Sequence, residues 1–113
     1  MSSVPPPNSA IAELSSTLGE DSARELVDMF LANFPTSLEE LQAAERERRR
    51  RAAHSLKSSA HIVGADTLSR QMAELEARLT QPTGDVTPAD LAATVAEFER
   101  VAVGLRAYVK QGA

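Results

Sequence analysis

The stretch LSRQMAELEARL, residues 68–79, decides how this chain folds. Its large apolar side chains are Leu68, Met72, Leu75 and Leu79, which recur at intervals of four, three and four residues. Because an α-helix turns once in about 3.6 residues, this spacing places all four side chains on one helical face. The remaining positions are mainly polar or charged. The stretch therefore predicts an amphipathic helix that buries one face against neighbouring helices.

Helical spacing extends over almost the whole chain from Ala10 onward. Four further helices are predicted from their apolar residues, which are Ile11, Leu14 and Leu18 in a short first helix, Leu26, Val27, Phe30, Leu31 and Phe34 in the second, Ala53, Leu56, Ala60 and Val63 in a helix from about Arg48, and Leu91, Val95, Phe98, Ala102, Leu105 and Val109 in a last helix to about Lys110. No segment has convincing strand alternation. The pattern predicts an all-α protein, an antiparallel four-helix bundle with a short additional N-terminal helix.

Capping and breaking residues predict where these helices begin and end. Ser22 and Glu25 have the spacing of a capping box. A proline inside a helix removes a backbone donor, so Pro35 is expected to break or kink the second helix. The capping pattern then recurs at Ser37 and Glu40. The other boundary signals are Gly19, Gly64, a loop over residues 81–85, and the N-cap and first helical residue Thr87-Pro88.

Length and composition fit one small domain. The chain has 113 residues, of which 42% are hydrophobic and only 4% aromatic, with no Trp. A core built mainly from Leu, Val and Ala suits packed helices better than sheets. Residues 1–9 are rich in Pro and Ser and are expected to form a flexible tail, so the bundle is assigned to residues 10–113. The initial Met suggests a free-standing protein.

Charge and the absence of certain residues exclude several classes of function. There is no Cys, which removes disulfides and thiolate metal sites and fits a cytoplasmic location. No apolar run is long enough for a membrane span, and the N-terminus lacks the features of a secretory signal. A net charge of −4 argues against nucleic acid as the main partner. We expect neither a membrane nor a nucleic-acid partner.

Two histidines, His54 and His61, lie on the same predicted helix. On a helical wheel His54 points away from the apolar stripe of that helix, towards solvent. Polar residues share its side, namely Glu47, Arg50, Arg51, Lys57, Ser58 and His61. One interpretation is a surface histidine without a role. The other is a nucleophile, since neutral imidazole can accept a phosphoryl group and Lys57, one turn onward, could neutralise the added charge.

A metal or haem site is a further interpretation of the two histidines. Their separation of seven residues corresponds to about 10.5 Å along a helix, which is too far for them to share one ion. The spacing of four residues that is usual for such pairs is absent, as are Cys and an obvious third ligand. We therefore expect no bound metal.

The octet AHSLKSSA, residues 53–60, followed by Gly64-Ala65, resembles the histidine phosphotransfer (HPt) domain of multistep phosphorelays. Residues 26–35, LVDMFLANFP, and residues 68–79 resemble the helices on either side of that motif in the family. The resemblance implies a four-helix bundle without kinase activity, which relays a phosphoryl group between aspartates of receiver domains in hybrid histidine kinases and response regulators. It implies no cofactor of the bundle itself, because Mg²⁺ is supplied by the receiver.

The resemblance also assigns roles to individual residues. His54 matches the phosphoacceptor, Lys57 the basic residue that stabilises the phosphoryl group, and Ser59 the small polar residue that follows. Glu76 lies where the family often places a side chain that hydrogen-bonds the histidine, although it could equally be solvated. Ser58 departs from the pattern, since the family prefers Gly there to leave room for the incoming aspartyl phosphate.

Docking of a receiver is expected around His54. The candidate docking residues are Arg50, Arg51, Met29, His61, Ile62 and Ala65. For Arg50 and Arg51 the alternative is a solvated helix start balanced by nearby glutamates. The single-histidine type of bundle is expected to be a monomer. Two other functions stay open, an adaptor that binds receivers without phosphorylation and a helical partner domain of a dimerising kinase. The cognate kinase and regulator, the direction of flow and the physiological output are not determined by the sequence.

Overall fold

The computed structural model describes residues 5–110, which form five helices and no strand. The helices are α1 (Ser9–Leu18), α2 (Glu20–Glu40), α3 (Arg46–Ile62), α4 (Asp66–Leu79) and α5 (Pro88–Lys110). The four long helices close a ring in which α2 packs on α3, α3 on α4, α4 on α5 and α5 on α2, while α1 packs on α2. The predicted all-α bundle with a short additional N-terminal helix is confirmed.

The start of α1 is fixed by the side chain of Asn8. Its Oδ1 accepts a hydrogen bond from the backbone N–H of Ile11 at 2.9 Å, and its Nδ2 donates to the carbonyl of Val63 at 2.9 Å. Ile11 is completely buried. Asn8 and Ser9, which the sequence analysis assigned to the tail, are therefore the N-cap and the first residue of α1, and residues 1–4 lie outside the described part.

The second helix begins earlier than predicted. It starts at Glu20, directly after Gly19, whose φ of 90° allows the chain to turn from α1 into α2 within one residue. Ser22 is therefore inside the helix, and the predicted capping box with Glu25 is wrong. The acidic residues of the first turn, Glu20 and Asp21, instead interact favourably with the helix dipole.

Pro35 does not break α2, so the predicted break is wrong, while the alternative of a kink stays a prediction. The helix continues through it to Glu40, and Ser37 is an interior residue whose hydroxyl donates to the carbonyl of Asn33 at 3.2 Å. The predicted second N-cap at Ser37 is therefore wrong as well. Tertiary packing outweighs the local cost of proline, because a continuous helix keeps one stripe in the core, comprising Val27, Phe30, Phe34 and, just past the helix, Leu41.

Helices α3 and α4 form a tight antiparallel hairpin joined by residues 63–65. Gly64 ends α3 as predicted, with a positive φ of 77° that favours glycine. A Cβ at this position would also collide with the side chain of Asn8. The α4 stripe is confirmed, since all four of its members are buried, namely Leu68, Met72, Leu75 and Leu79.

The last helix begins with the predicted cap at Thr87-Pro88. The Thr87 hydroxyl accepts from the backbone N–H of Asp90 at 3.1 Å, and the Asp90 carboxylate accepts from the backbone N–H of Thr87 at 2.8 Å. That carboxylate also binds Arg78 of α4 through two hydrogen bonds of 2.8 and 2.9 Å. The pair joins α4 to α5 at the end where the connecting loop lies.

The buried face of α5 differs in detail from the prediction. Phe98, Ala102 and Leu105 are buried as expected, whereas Leu91, Val95 and Val109 are only partly buried. Thr94 and Tyr108 complete the buried face. Thr94 tolerates burial because its hydroxyl donates to the carbonyl of Asp90 at 2.8 Å. Over residues 5–110, no helix combines the length and the apolar character needed to cross a membrane.

Candidate functional site

His54 lies near the middle of α3 and projects into solvent. Its side chain is 57% exposed, whereas Ala53, Leu56 and Ala60 on the opposite side of the helix are buried. The predicted orientation of the histidine follows from this stripe, because burying three apolar residues fixes the rotation of α3. The ring is thus held on a rigid element and remains accessible to a large partner.

Glu76 of α4 contacts His54 and two of the polar residues that the sequence analysis placed on the same side, Lys57 and Arg50. Its Oε2 lies 2.8 Å from Nδ1 of His54, and its Oε1 accepts a hydrogen bond from Nζ of Lys57 at 2.7 Å. Arg50 adds a longer ion pair, with 3.6 Å between a guanidinium nitrogen and Oε2 of the same carboxylate. Glu76 is 17% exposed, so this expected neighbour of His54 is a contact residue rather than a solvated one.

The Glu76 carboxylate also determines which ring nitrogen carries the proton. The hydrogen bond from Lys57 is the largest cause of a lowered Glu76 pKa, and the one from His54 lowers it further, against desolvation, which raises it. An ionised carboxylate can only accept, so Nδ1 of His54 must be the donor. In the neutral ring Nε2 then carries the lone pair, and no residue of the described chain hydrogen-bonds it.

The two serines after Lys57 take different positions. Ser58 is exposed one turn beyond His54, so a hydroxymethyl group lies at the surface where a partner would approach. Ser59 is also exposed, but its hydroxyl donates to the carbonyl of Ser55 at 3.0 Å. The structure therefore brings Lys57 and Glu76 to His54, whereas the Ser59 hydroxyl is directed to its own helix.

Arginines at the start of α3 bind mostly within the chain. Arg46 donates to the carbonyls of Gln81, Pro82 and Gly84 in the loop between α4 and α5. Arg50 pairs with Glu47 at 2.7 Å in addition to its contact with Glu76. The pair of Arg50 with Glu47 is the balance by nearby glutamates that the sequence analysis gave as its alternative, whereas the loop partners of Arg46 were not predicted.

Two of the apolar docking candidates are exposed. Met29 of α2 is 58% exposed and Ile62 of α3 is 49% exposed, as expected for docking candidates, and both line a groove between the two helices. Ala65 is only 2% exposed, so its selection as a docking residue is wrong. It lies in the short hairpin connection, where its methyl group packs into the core. His61 is exposed two turns after His54.

Candidate metal ligands are not clustered in residues 5–110, where no group of three or more His, Cys, Asp or Glu side chains could hold an ion. The side chains at His54 are one imidazole, one carboxylate and two cations. Such a set can hold one ring proton, leave one nitrogen lone pair accessible and attract an anionic group.

Comparison with known proteins gives one match. A family model described as the Hpt domain matches residues 25–108, which include α3, α4 and most of α2 and α5. No curated protein matches the chain, and no protein of known structure matches it. Since the family model spans most of the chain, and the bundle carries an exposed histidine on the matched segment, this chain belongs to the Hpt domain family.

Proposed function

We propose that this chain relays a phosphoryl group between aspartates of response-regulator receiver domains, with His54 as the phosphoacceptor. Members of the Hpt family are phosphotransfer carriers of phosphorelays, not kinases, and they interact with receiver domains. The observation that carries the proposal is the contact between Nδ1 of His54 and Glu76, which leaves Nε2 exposed as the nucleophile.

In the proposed transfer step the proton stays on Nδ1 of His54. The Nε2 lone pair attacks phosphorus of a receiver aspartyl phosphate as the bond from phosphorus to the aspartyl oxygen breaks. The electron pair of the broken phosphorus–oxygen bond returns to the aspartate, and a phosphorus–nitrogen bond forms. The ring becomes positively charged, and Glu76 stabilises it through the Nδ1–H hydrogen bond. In the reverse step the pair returns to Nε2 as the next aspartate attacks.

Electrostatics on the histidine side favour this step. The Lys57 ammonium lies one turn beyond His54 and is anchored by Glu76 at 2.7 Å, so it is held near the ring before a partner arrives. A dianionic phosphoryl group on Nε2 would be attracted to it. The bundle supplies orientation and charge, and Mg²⁺ is expected on the receiver, so no cofactor of this chain enters the step.

Receiver docking is assigned to the exposed surface around His54. Met29 and Ile62 provide apolar contact area, and Ser58 is an exposed small residue one turn beyond His54. Serine adds a hydroxymethyl group where the family prefers glycine, so we expect a narrower range of partners or slower transfer. A monomer is expected, because one bundle carries the complete site.

Phosphoryl transfer from a phosphorylated receiver tests the proposal directly. We expect the wild-type chain to gain an acid-labile, base-stable label that disappears in His54→Gln. The matched control is His61→Gln, which removes the other exposed histidine of α3 and should retain the label. A label that persists in His54→Gln, or disappears only in His61→Gln, would refute the assignment of His54.

A phosphorylation-independent adaptor is the second candidate function, and Ser58 is the observation that favours it. If its hydroxymethyl group prevents close approach of an aspartyl phosphate, the chain would bind receivers without becoming labelled. Ser58→Gly restores the family residue and should then permit labelling. Binding without labelling in the wild type, together with labelling of Ser58→Gly, would support the adaptor over the relay.

A further inference from the structure

The arginine run at residues 46–51 contains one arginine, Arg51, that forms no ion pair or hydrogen bond through its side chain within residues 5–110. Four of its five arginines bind acceptors inside the chain, which are the loop carbonyls for Arg46, Glu40 for Arg48 at 2.8 Å, Asp85 for Arg49 at 3.2 Å, and Glu47 for Arg50 at 2.7 Å. Arg51 has no salt-bridge or hydrogen-bond partner for its side chain among residues 5–110, and it is exposed.

Carboxylates near Arg51 are already bound to other arginines. The pKa of Glu40 is lowered chiefly by its hydrogen bond from Arg48, and that of Glu47 chiefly by its hydrogen bond from Arg50. Arg51 contributes only a weaker coulombic effect to each. Its guanidinium can therefore bind an external carboxylate without breaking an ion pair within this chain.

Arg51 also lies near His54 along α3 and faces a groove. It lies one turn before His54 on α3 and lines a groove of about 550 Å³ between α2 and α3. Asn33 and Ser37 line this groove and also the neighbouring apolar one that contains Met29 and Ile62. The two grooves therefore adjoin, and the first contains the cationic Arg51 while the second contains the apolar Ile62.

Resting on the relay proposed above, we infer that Arg51 is a specificity-determining residue, which forms an ion pair with an Asp or Glu on the surface of the preferred receiver domain. Exposed charges at the rim of an interface change association rates and suppress wrong partners more than they increase affinity. Arg51 then selects among receivers that share the same phosphorylation chemistry, whereas His54, Lys57 and Glu76 act on the reaction itself.

Charge reversal at Arg51 tests this inference against a panel of receiver domains from the same genome. With the preferred receiver at low salt, we expect Arg51→Glu to lower the second-order rate of His54 labelling on the order of tenfold. Arg51→Lys should retain most of the rate because it keeps the charge. The loss should shrink as salt is raised to about 1 M, where the screening length falls to about 3 Å.

Arg106→Glu is the matched control, since it changes the net charge equally and alters an exposed α5 pair with Glu99. We expect Arg106→Glu to have little effect on the labelling rate. An Asp→Lys or Glu→Lys substitution on the receiver should restore the rate that Arg51→Glu loses. Equal losses in Arg51→Glu and Arg106→Glu, or a loss independent of salt, would overturn the inference while leaving the relay intact. Absence of any label on wild type would overturn both.

Discussion

Removing the Glu76 carboxylate should slow the transfer step without unfolding the bundle. Glu76→Ala deletes the acceptor of the Nδ1–H bond and releases Lys57, whose Nζ is held at 2.7 Å. A hydrogen bond to a charged group contributes about 1.5–3 kcal/mol. Because the His54 side chain is 57% exposed, we discount this to about 1–2 kcal/mol. That range corresponds to a rate about 5- to 30-fold lower.

The assay is the time course of His54 labelling from a phosphorylated receiver, together with ¹⁵N NMR of the ring tautomer. Glu76→Gln should lose less, since an amide oxygen can still accept from Nδ1–H. Glu74→Gln, the same change on the same helix, is the control and should match wild type. Because the pKa of Glu76 is lowered, chiefly by Lys57, its titration should not affect the rate between pH 5 and 8. A wild-type rate and an unchanged tautomer in Glu76→Ala would refute the positioning role.

Three further predictions concern stability, each measured by urea unfolding. The Arg78 hydrogen bonds, with help from Thr87, lower the pKa of Asp90 to about 2. The ionised Asp90 should therefore contribute about 1–2 kcal/mol to the free energy of unfolding above about pH 4, and this contribution should be lost as the pH falls towards 2. Asp90→Asn should remove this pH dependence, and an unchanged profile would contradict the prediction. Asn8→Ala should destabilise the chain by about 1–2 kcal/mol through loss of a cap and a bond to α3, whereas no change would show that α1 is not anchored there. Pro35→Ala should stabilise the protein by about 1–2 kcal/mol, because Pro35 is exposed inside α2, alanine restores a helical N–H, and proline inside a helix costs about 3 kcal/mol. Destabilisation would contradict this explanation.

Periodicity predicted the bundle well because burial on one helical face is a local property of the sequence. The α4 stripe is buried at all four positions, and the α3 stripe fixes the outward direction of His54. The contact of Glu76 with His54, expected from the family resemblance, is present in the structure, while its role in transfer stays a prediction. That contact needs the antiparallel register of two helices, which periodicity within one helix does not determine.

The errors arise where tertiary packing outweighs local preference. Pro35 reads as a helix breaker, yet the buried residues on both sides of it keep α2 continuous. The loop partners of Arg46 were not predictable from spacing, because they lie 35 to 38 residues further along the chain. Ala65 was predicted to belong to the exposed docking surface, whereas it packs into the core, because periodicity alone does not separate the edge of a core from an exposed patch.

The contact between Asn8 and Val63 has a practical consequence for anyone who trims this protein. The family match begins at residue 25, so a fragment cut at that border would lack α1 entirely. It would leave the Val63 carbonyl without the hydrogen bond from Asn8, and it would expose the part of the core that the fully buried Ile11 covers. A fragment that keeps the hydrogen bond from Asn8 to the end of α3 must therefore start at or before Asn8, well before the first residue of the family match.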